Sequence, residues 1–255
     1  MNVLAIGDVV GAAGTAHLRR VLPRLKRECG ADFCVVNGEN SAPGNGITPD
    51  SAMDLLDCGA DVITTGNHIY RRREVYDFLD ENIRVIRPAN LPAQNPGVGY
   101  VTLDLGASPI TVVNLLGING IFCSQSSPFE AIDAILRKPD LGFVLVDIHA
   151  ESTAEKRTLG YYLDGRVSAV FGTHTHVQTA DAQILPQGTG YITDLGMCGV
   201  TESVLGVEIA DAVSFNSTGM PTRFRQAEGP CALTGCLFTL DNKSRKCTAV
   251  NTINN

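Results

Sequence analysis

Seven side chains able to hold a metal ion, Asp8, Glu39, Asn40, Asn67, His149, His174 and His176, stand at or just beyond the ends of short apolar runs. The runs are NVLAIGD, FCVVNGEN, VITTGNH, FVLVDIHAE and VSAVFGTHTHVQ. Short apolar runs broken by Gly or Asn are expected as buried strands. In open α/β sheets, ligands bind beyond the carboxyl ends of the strands. The chain has five histidines, and four of them, His68 included, fall at these ends. In the last run a strand over 167–171 is expected to break at Gly172. His174 and His176, two residues apart in extended chain, would then point the same way.

Two carboxylates, two amides and three imidazoles exceed what one divalent ion takes from side chains of this kind. Two ions sharing a carboxylate, at the ~3.5–4 Å separation of hydrolytic two-metal sites, would use them all. Mixed oxygen and imidazole donors suit iron, manganese or zinc better than magnesium or calcium. Each residue alone has a plainer reading. Asp8 could cap a helix, Asn40 and Asn67 could occupy turns, and His149 could be a hydrogen-bonded core histidine. Seven such coincidences, all at strand ends, point instead to one shared cause. The residues by themselves support metal-assisted ester hydrolysis and leave the substrate open.

The elements that must carry these groups alternate. Strands are expected over 1–7, 32–37 and 61–65, the first bounded by a Gly-Asp turn, with helices over 16–28, 49–58 and 71–82. Gly11 to Gly14 are expected to loosen the chain before the first helix, and Pro49 suits the first turn of the second. Residues 100–105 and 110–115 resemble an antiparallel hairpin. Helices over 128–137 and 152–163 alternate with strands over 143–148 and 167–171. The last third turns β-rich, at 183–185, 190–193, 232–239 and 248–253, with a weak helical pattern over 203–215. Strand–helix units followed by antiparallel strands suggest two stacked sheets flanked by helices, in one domain over 1–255.

Composition narrows the setting. At 255 residues, 44% hydrophobic and 18% charged, the chain has the make-up of a soluble globular protein. No apolar run approaches the roughly 20 residues of a membrane span. The start, MNVLAIGDVVG, lacks the basic region of a signal peptide, so a cytoplasmic location is expected. The eight cysteines are scattered without any CxxC, which suits buried reduced thiols rather than disulfides or a zinc ribbon. Cys198 in GMCG has no neighbour in sequence that would activate a thiol. A net charge of −7 disfavours polymeric nucleic acid as a partner. A small nucleotide held through metal cations stays compatible with it.

The order GDVVG, NGEN, GNH, a lone His after a strand, then GTHTH resembles the calcineurin-like metallophosphoesterases, and among them the bacterial YmdB-like phosphodiesterases. The likeness continues through YITDLGMCG and MPTRF and so spans most of the chain. Two departures from the wider superfamily stand out: Val10 occupies the place of a histidine ligand, and Glu39 that of the bridging aspartate. Asn40 is placed to fill the gap. The GNH motif is followed by Ile69 instead of an acid.

The resemblance implies a four-layer α/β/β/α sandwich. It implies one metal on Asp8, Glu39, Asn40 and His176, a second on Glu39, Asn67, His149 and His174, and Glu39 as the bridge. A water between two such ions would lose its proton near neutral pH and attack phosphorus, with His68 as the acid for the leaving oxygen. The implied substrates are phosphodiesters such as 2′,3′-cyclic nucleotides, 2′,3′-cAMP among them. A phosphomonoesterase, or a nucleotide-binding regulator with little turnover, are the alternatives. Arg71, Arg72 and Arg73 could draw in a phosphate but read first as a solvated first helical turn, and the loop from Ser41 to Pro49 reads as a connection or a lid. A homo-oligomer, if formed, is expected to use the β-rich last third.

Overall fold

The computed structural model describes residues 1–106 and 108–255. Along the chain run β1 (Asn2–Val9), α1 (Gly11–Cys29), β2 (Phe33–Asn37), α2 (Pro49–Asp57), β3 (Val62–Thr64), α3 (Val75–Glu81), β4 (Tyr100–Asp104) and β5 (Pro109–Leu116). Then follow α4 (Pro128–Leu136), β6 (Phe143–His149), α5 (Thr153–Leu163), β7 (Ala169–Thr173), β8 (Gln183–Ile184) and β9 (Gly190–Ile192). The last elements are β10 (Met197–Val200), α6 (Ile209–Thr218), β11 (Cys231–Leu240) and β12 (Cys247–Asn254). Two mixed sheets result, ordered β12-β11-β10-β1-β2-β3 and β4-β5-β6-β7-β9-β8.

Side-chain alternation assigns the layers. Val3, Ala5, Phe33 and Val35 of the first sheet meet Phe143, Leu145, Ala169 and Phe171 of the second in one buried cluster. On the other face of the first sheet, Leu4, Ile6 and Val36 pack with Leu18, Leu22 and Leu55 of α1 and α2. On the other face of the second, Val144, Val146 and Val170 pack with Ile132, Leu159 and Leu163 of α4 and α5. Helix, sheet, sheet, helix is the four-layer sandwich that the strand and helix patterns suggested. Among the described residues no helix is long and apolar enough to cross a membrane.

Four local expectations fail, each for a physical reason. The first strand does not turn at Gly7-Asp8 but runs on to Val9, because β10, which the sequence pattern did not reveal, pairs with Asp8 and Val9. The first helix starts at Gly11, not residue 16. Its glycines serve close packing: a Cβ at Gly14 would stand 2.2 Å from the Cys198 carbonyl oxygen. Residues 203–207 are not helical but close a tight turn, and α6 is correspondingly displaced toward the C-terminus. Residues 71–74 precede α3 instead of forming its first turn. Arg72 is half-buried and donates to the carbonyls of Pro43 and Asn45. It pins the loop between Ser41 and Pro49 rather than facing solvent.

A bulge in β1 aims the first candidate ligand. Ile6 pairs with Val36 and Asp8 with Asn37, so one residue, Gly7, is extra. Simple alternation would put Asp8 beside Leu4 and Ile6, facing the helices. The bulge turns it toward the second sheet, where its Oδ2 accepts from the His174 backbone N–H at 3.0 Å. A Cβ at Gly7 would lie 2.1 Å from the backbone oxygen of Gly196. Gly7→Ala is therefore expected to cost about 1–3 kcal/mol through forced separation of β1 and β10. Urea denaturation reads the loss, and an unchanged midpoint would refute the close-packing account.

Candidate metal centre at the strand ends

Asp8, Glu39, Asn40, Asn67, His68, His149, His174 and His176 converge at one end of the two sheets. Glu39 follows β2, Asn67 and His68 follow β3, His149 ends β6, and His174 and His176 follow β7. Ligand-bearing atoms of Glu39, His149 and His174 all lie within 4.8 Å of one another. His149 Nε2 is 2.6 Å from Glu39 Oε2, 3.1 Å from His174 Nδ1 and 3.2 Å from Asn67 Oδ1. On the other side, His176 Nε2 is 3.5 Å from Asp8 Oδ1 and 3.4 Å from Asn40 Nδ2. The His68 backbone N–H donates to Glu39 Oε1, and its Nδ1 lies 3.3 Å from Asn40 Oδ1.

The two histidines of GTHTH do not point the same way. His174 has φ 94° and His176 φ 60°, so the chain there is left-handed rather than extended. The imidazoles diverge, one toward His149 and the other toward Asp8. Conformations of this kind cost about 1–3 kcal/mol each for a non-glycine residue and persist only where surroundings hold them. Lys156 of α5, fully buried, supplies that hold. Its Nζ contacts Asp194 Oδ2 at 2.7 Å and Thr175 Oγ1 at 3.1 Å, and the Thr175 hydroxyl donates to Asp194 at 2.6 Å. The residue between the two histidines is thus fixed by a buried ion pair.

Each imidazole engages one nitrogen with an acceptor outside the cluster and turns the other inward. His149 Nδ1 is 2.9 Å from Thr173 Oγ1, whose own proton goes to Asp147 Oδ1 at 2.7 Å. His149 Nδ1 is therefore the donor in that pair, which leaves Nε2, facing Glu39 and Asn67, as the nitrogen that could offer a lone pair to a metal. His174 Nε2 contacts Glu151 at 3.1 Å, and His176 Nδ1 donates to the Leu205 carbonyl at 3.1 Å. Outer partners of this kind orient imidazoles toward a metal and raise their basicity.

Asp147 sits on a base of hydrogen bonds from Thr64, Thr173 and Asn37. Burial raises its pKa to about 6, against the pull of His149 and these donors. A Cβ at Gly66 would stand 2.2 Å from His149 Cδ2, so only glycine lets β3 approach the ring.

The electrostatics fit a cation. Asp8 and Glu39 are fully buried, yet Asp8 Oδ1 and Glu39 Oε2 have no hydrogen-bond partner among the described residues. The close approach of Glu39 Oε2 to His149 lacks the alignment of a hydrogen bond. Burial works against the ionised form of both carboxylates, but the nearby histidines outweigh it and lower both pKa values. Burial likewise disfavours a charged His149, and the surrounding carboxylates, Glu39 first, more than reverse this, to about 9. His174 is held down to about 4 by burial and by His149 beside it. The pocket demands positive charge that one imidazolium meets poorly and a metal ion meets through directed lone pairs.

A family model described as "YmdB-like protein" matches residues 4–253. The chain belongs to the YmdB-like family. A Bacillus subtilis relative named 2′,3′-cyclic-nucleotide 2′-phosphodiesterase is 40% identical over 258 residues, covering 99% of this chain and 96% of that protein. A Mycoplasma pneumoniae protein named putative phosphatase/phosphodiesterase is 32% identical, over 96% of this chain and 90% of its own. Among solved structures, a Thermus thermophilus protein superposes with a TM-score of 0.93 at 37% identity, covering 100% and 98% of the two chains. A Mycoplasma pneumoniae phosphatase superposes at 0.95 and 31% identity, over 100% and 92%. A 5′-nucleotidase of Staphylococcus aureus, at 15% identity and a TM-score of 0.61, shares the fold. That fold is the metallophosphoesterase sandwich.

Several residues that shape this YmdB-like site escaped the sequence pattern: Asn37, Thr64, Asp147, Thr173, Lys156 and Asp194. The signal was present in FCVVN and FVLVDIH, where a polar residue interrupts a strand on its buried face. Cys198 is buried, and burial pushes its thiol pKa up, in keeping with an inert role. Removing Lys156 leaves Asp194 uncompensated. Lys156→Met should cost about 3–5 kcal/mol of stability, and Lys156→Met with Asp194→Asn should recover part of it. Guanidinium unfolding measures both, and equal loss in the two variants would count against the buried pair.

Proposed function

We propose that the chain is a metal-dependent phosphoric ester hydrolase acting on phosphodiesters, with 2′,3′-cyclic nucleotides as the substrate class. The observation that carries this reading is the meeting of three pre-oriented imidazole nitrogens with two buried, unsatisfied carboxylate oxygens. The donor set suits two ions, iron or manganese before zinc. Asp8, Glu39, Asn40 and His176 would hold one. Glu39, Asn67, His149 and His174 would hold the other, with Glu39 shared. When bound, such ions neutralise the phosphoryl oxygens and lower the pKa of coordinated water.

The protein's own groups do the rest. Thr173 and Asp147 hold His149 in one tautomer, and Glu151 and the Leu205 carbonyl do the same for His174 and His176. His68 lines the adjoining cavity. Its pKa is lowered, chiefly by burial and against the pull of Glu39. With Nδ1–H on Asn40 Oδ1, its Nε2 is the nitrogen that would take up a proton from solvent and then give it to the leaving oxygen. The cyclic-nucleotide class is supported by the name of the Bacillus subtilis relative. Eight free thiols support a reducing, cytoplasmic setting.

Glu39→Gln is expected to lower bound metal and to reduce phosphodiester turnover by more than the ~10–100-fold that loss of an outer hydrogen-bond partner costs. Metal analysis and assays on bis-aryl, mono-aryl and 2′,3′-cyclic phosphates test this together. Faster hydrolysis of the mono-aryl ester would favour a phosphomonoesterase, and undiminished turnover by the variant would favour a regulatory protein. His68→Ala should retain metal yet slow esters with poor leaving groups by ~10²–10⁴-fold, and those with good leaving groups far less. Equal slowing of both classes would remove His68 as the acid.

A further inference from the structure

A cavity of about 260 Å³ opens directly from the metal-ligand cluster. Asn40, His68, His174 and His176 line it together with Leu205, Val207, Phe224 and Gln226. The wall formed by the second group is built, not a loose loop. Val204 and Val207 exchange backbone hydrogen bonds at 2.9 and 3.0 Å, Glu208 N–H donates to Arg225 O at 3.0 Å, and Ala227 N–H to Gly206 O at 2.9 Å. Asp211 receives Arg225 Nε at 2.9 Å, Nη2 at 2.7 Å and the Arg225 backbone N–H at 3.0 Å. The wall is also joined to the site itself through the Leu205 carbonyl on His176.

Phe224 stands on this wall with 47% of its surface exposed. Its ring is braced edge-on by Phe215 at 5.4 Å, so the exposed face is presented in one orientation. An aromatic face left uncovered beside a polar site is what a planar ligand stacks on. Charge narrows the ligand. The Arg225 guanidinium is paired in bidentate fashion with Asp211, so the wall offers no unpaired cation for a second phosphate. Gln226 gives its amide N–H to Ala42 O at 3.3 Å, leaving its side-chain oxygen as an acceptor for a ring amino group. We infer that the Leu205–Val207 and Phe224–Gln226 wall is a nucleobase subsite, with Phe224 stacking the base of a substrate whose phosphate lies at the histidine cluster. This rests on the phosphodiesterase reading for the phosphate end only; the wall's preference for a flat, uncharged ring stands on its own geometry.

Calorimetric titration of the manganese-loaded protein with adenosine 3′-monophosphate and, separately, with inorganic phosphate tests the subsite without turnover. Wild-type protein should bind the nucleotide more tightly than phosphate. Phe224→Ala should weaken nucleotide binding about 10-fold and leave phosphate binding unchanged. Phe224→Trp should restore nucleotide affinity, and Phe224→Leu, which keeps apolar bulk without a stacking face, should not. Equal weakening of both ligands, no weakening of either, or full rescue by leucine would overturn the subsite. A wild-type enzyme that hydrolyses no phosphodiester would overturn the proposed reaction, while the same titrations still decide the subsite.

Discussion

Two carboxylates buried between facing sheets, each with an oxygen left without a hydrogen-bond partner among the described residues, constrain everything around them. An uncompensated buried charge is expensive enough that a protein ordinarily neutralises or removes it. Here Asp8 and Glu39 are retained at zero exposure, and the histidines around them are depended on for compensation. The surrounding structure reads as a set of devices that keep lone pairs aimed into that negative space. Thr173, Glu151 and the Leu205 carbonyl engage the outer nitrogen of each imidazole, so the inner nitrogens face the buried carboxylates, the amides and one another.

Different layers contribute different parts of this arrangement. The first sheet supplies oxygen donors from β1 and the turn after β2. The second supplies imidazoles from β6 and the turn after β7. Neither sheet alone assembles a site, and the inter-sheet core of Val3, Ala5, Phe143 and Phe171 sets their spacing. A buried hydrogen-bonded base of Asn37, Thr64, Asp147 and Thr173 lies between that apolar core and the clustered carboxylates and imidazoles. It grades the interior from hydrocarbon to charge. The left-handed backbone at His174 and His176 is the strained part, and Lys156 with Asp194 is its brace.

The substrate side differs in character from the ligand side. The wall of residues 204–208 and 224–227 is partly apolar, and its one arginine, Arg225, has its charge taken up by Asp211. It comes from the region where helical periodicity was weakest. Departures from regular structure at 203–207 therefore fall beside the site rather than at random, as local irregularity often does where a ligand must be met.

The layered sandwich and the identity of the clustered residues were legible in the chain itself. Apolar runs with a two-residue period and flanking helical periods dictate packed sheets covered by helices. Metal-binding residue types at strand ends are a local pattern that needs no contacts to recognise. The aim of those residues was not legible. Asp8 faces the second sheet because Gly7 is a bulge, and the bulge exists because β10 lies alongside with the Gly196 carbonyl in contact. His174 and His176 diverge because a lysine eighteen residues earlier than His174 is buried against Asp194. Residue type is a property of one position, but orientation depends on partners far away in sequence, so only the tertiary structure could decide it.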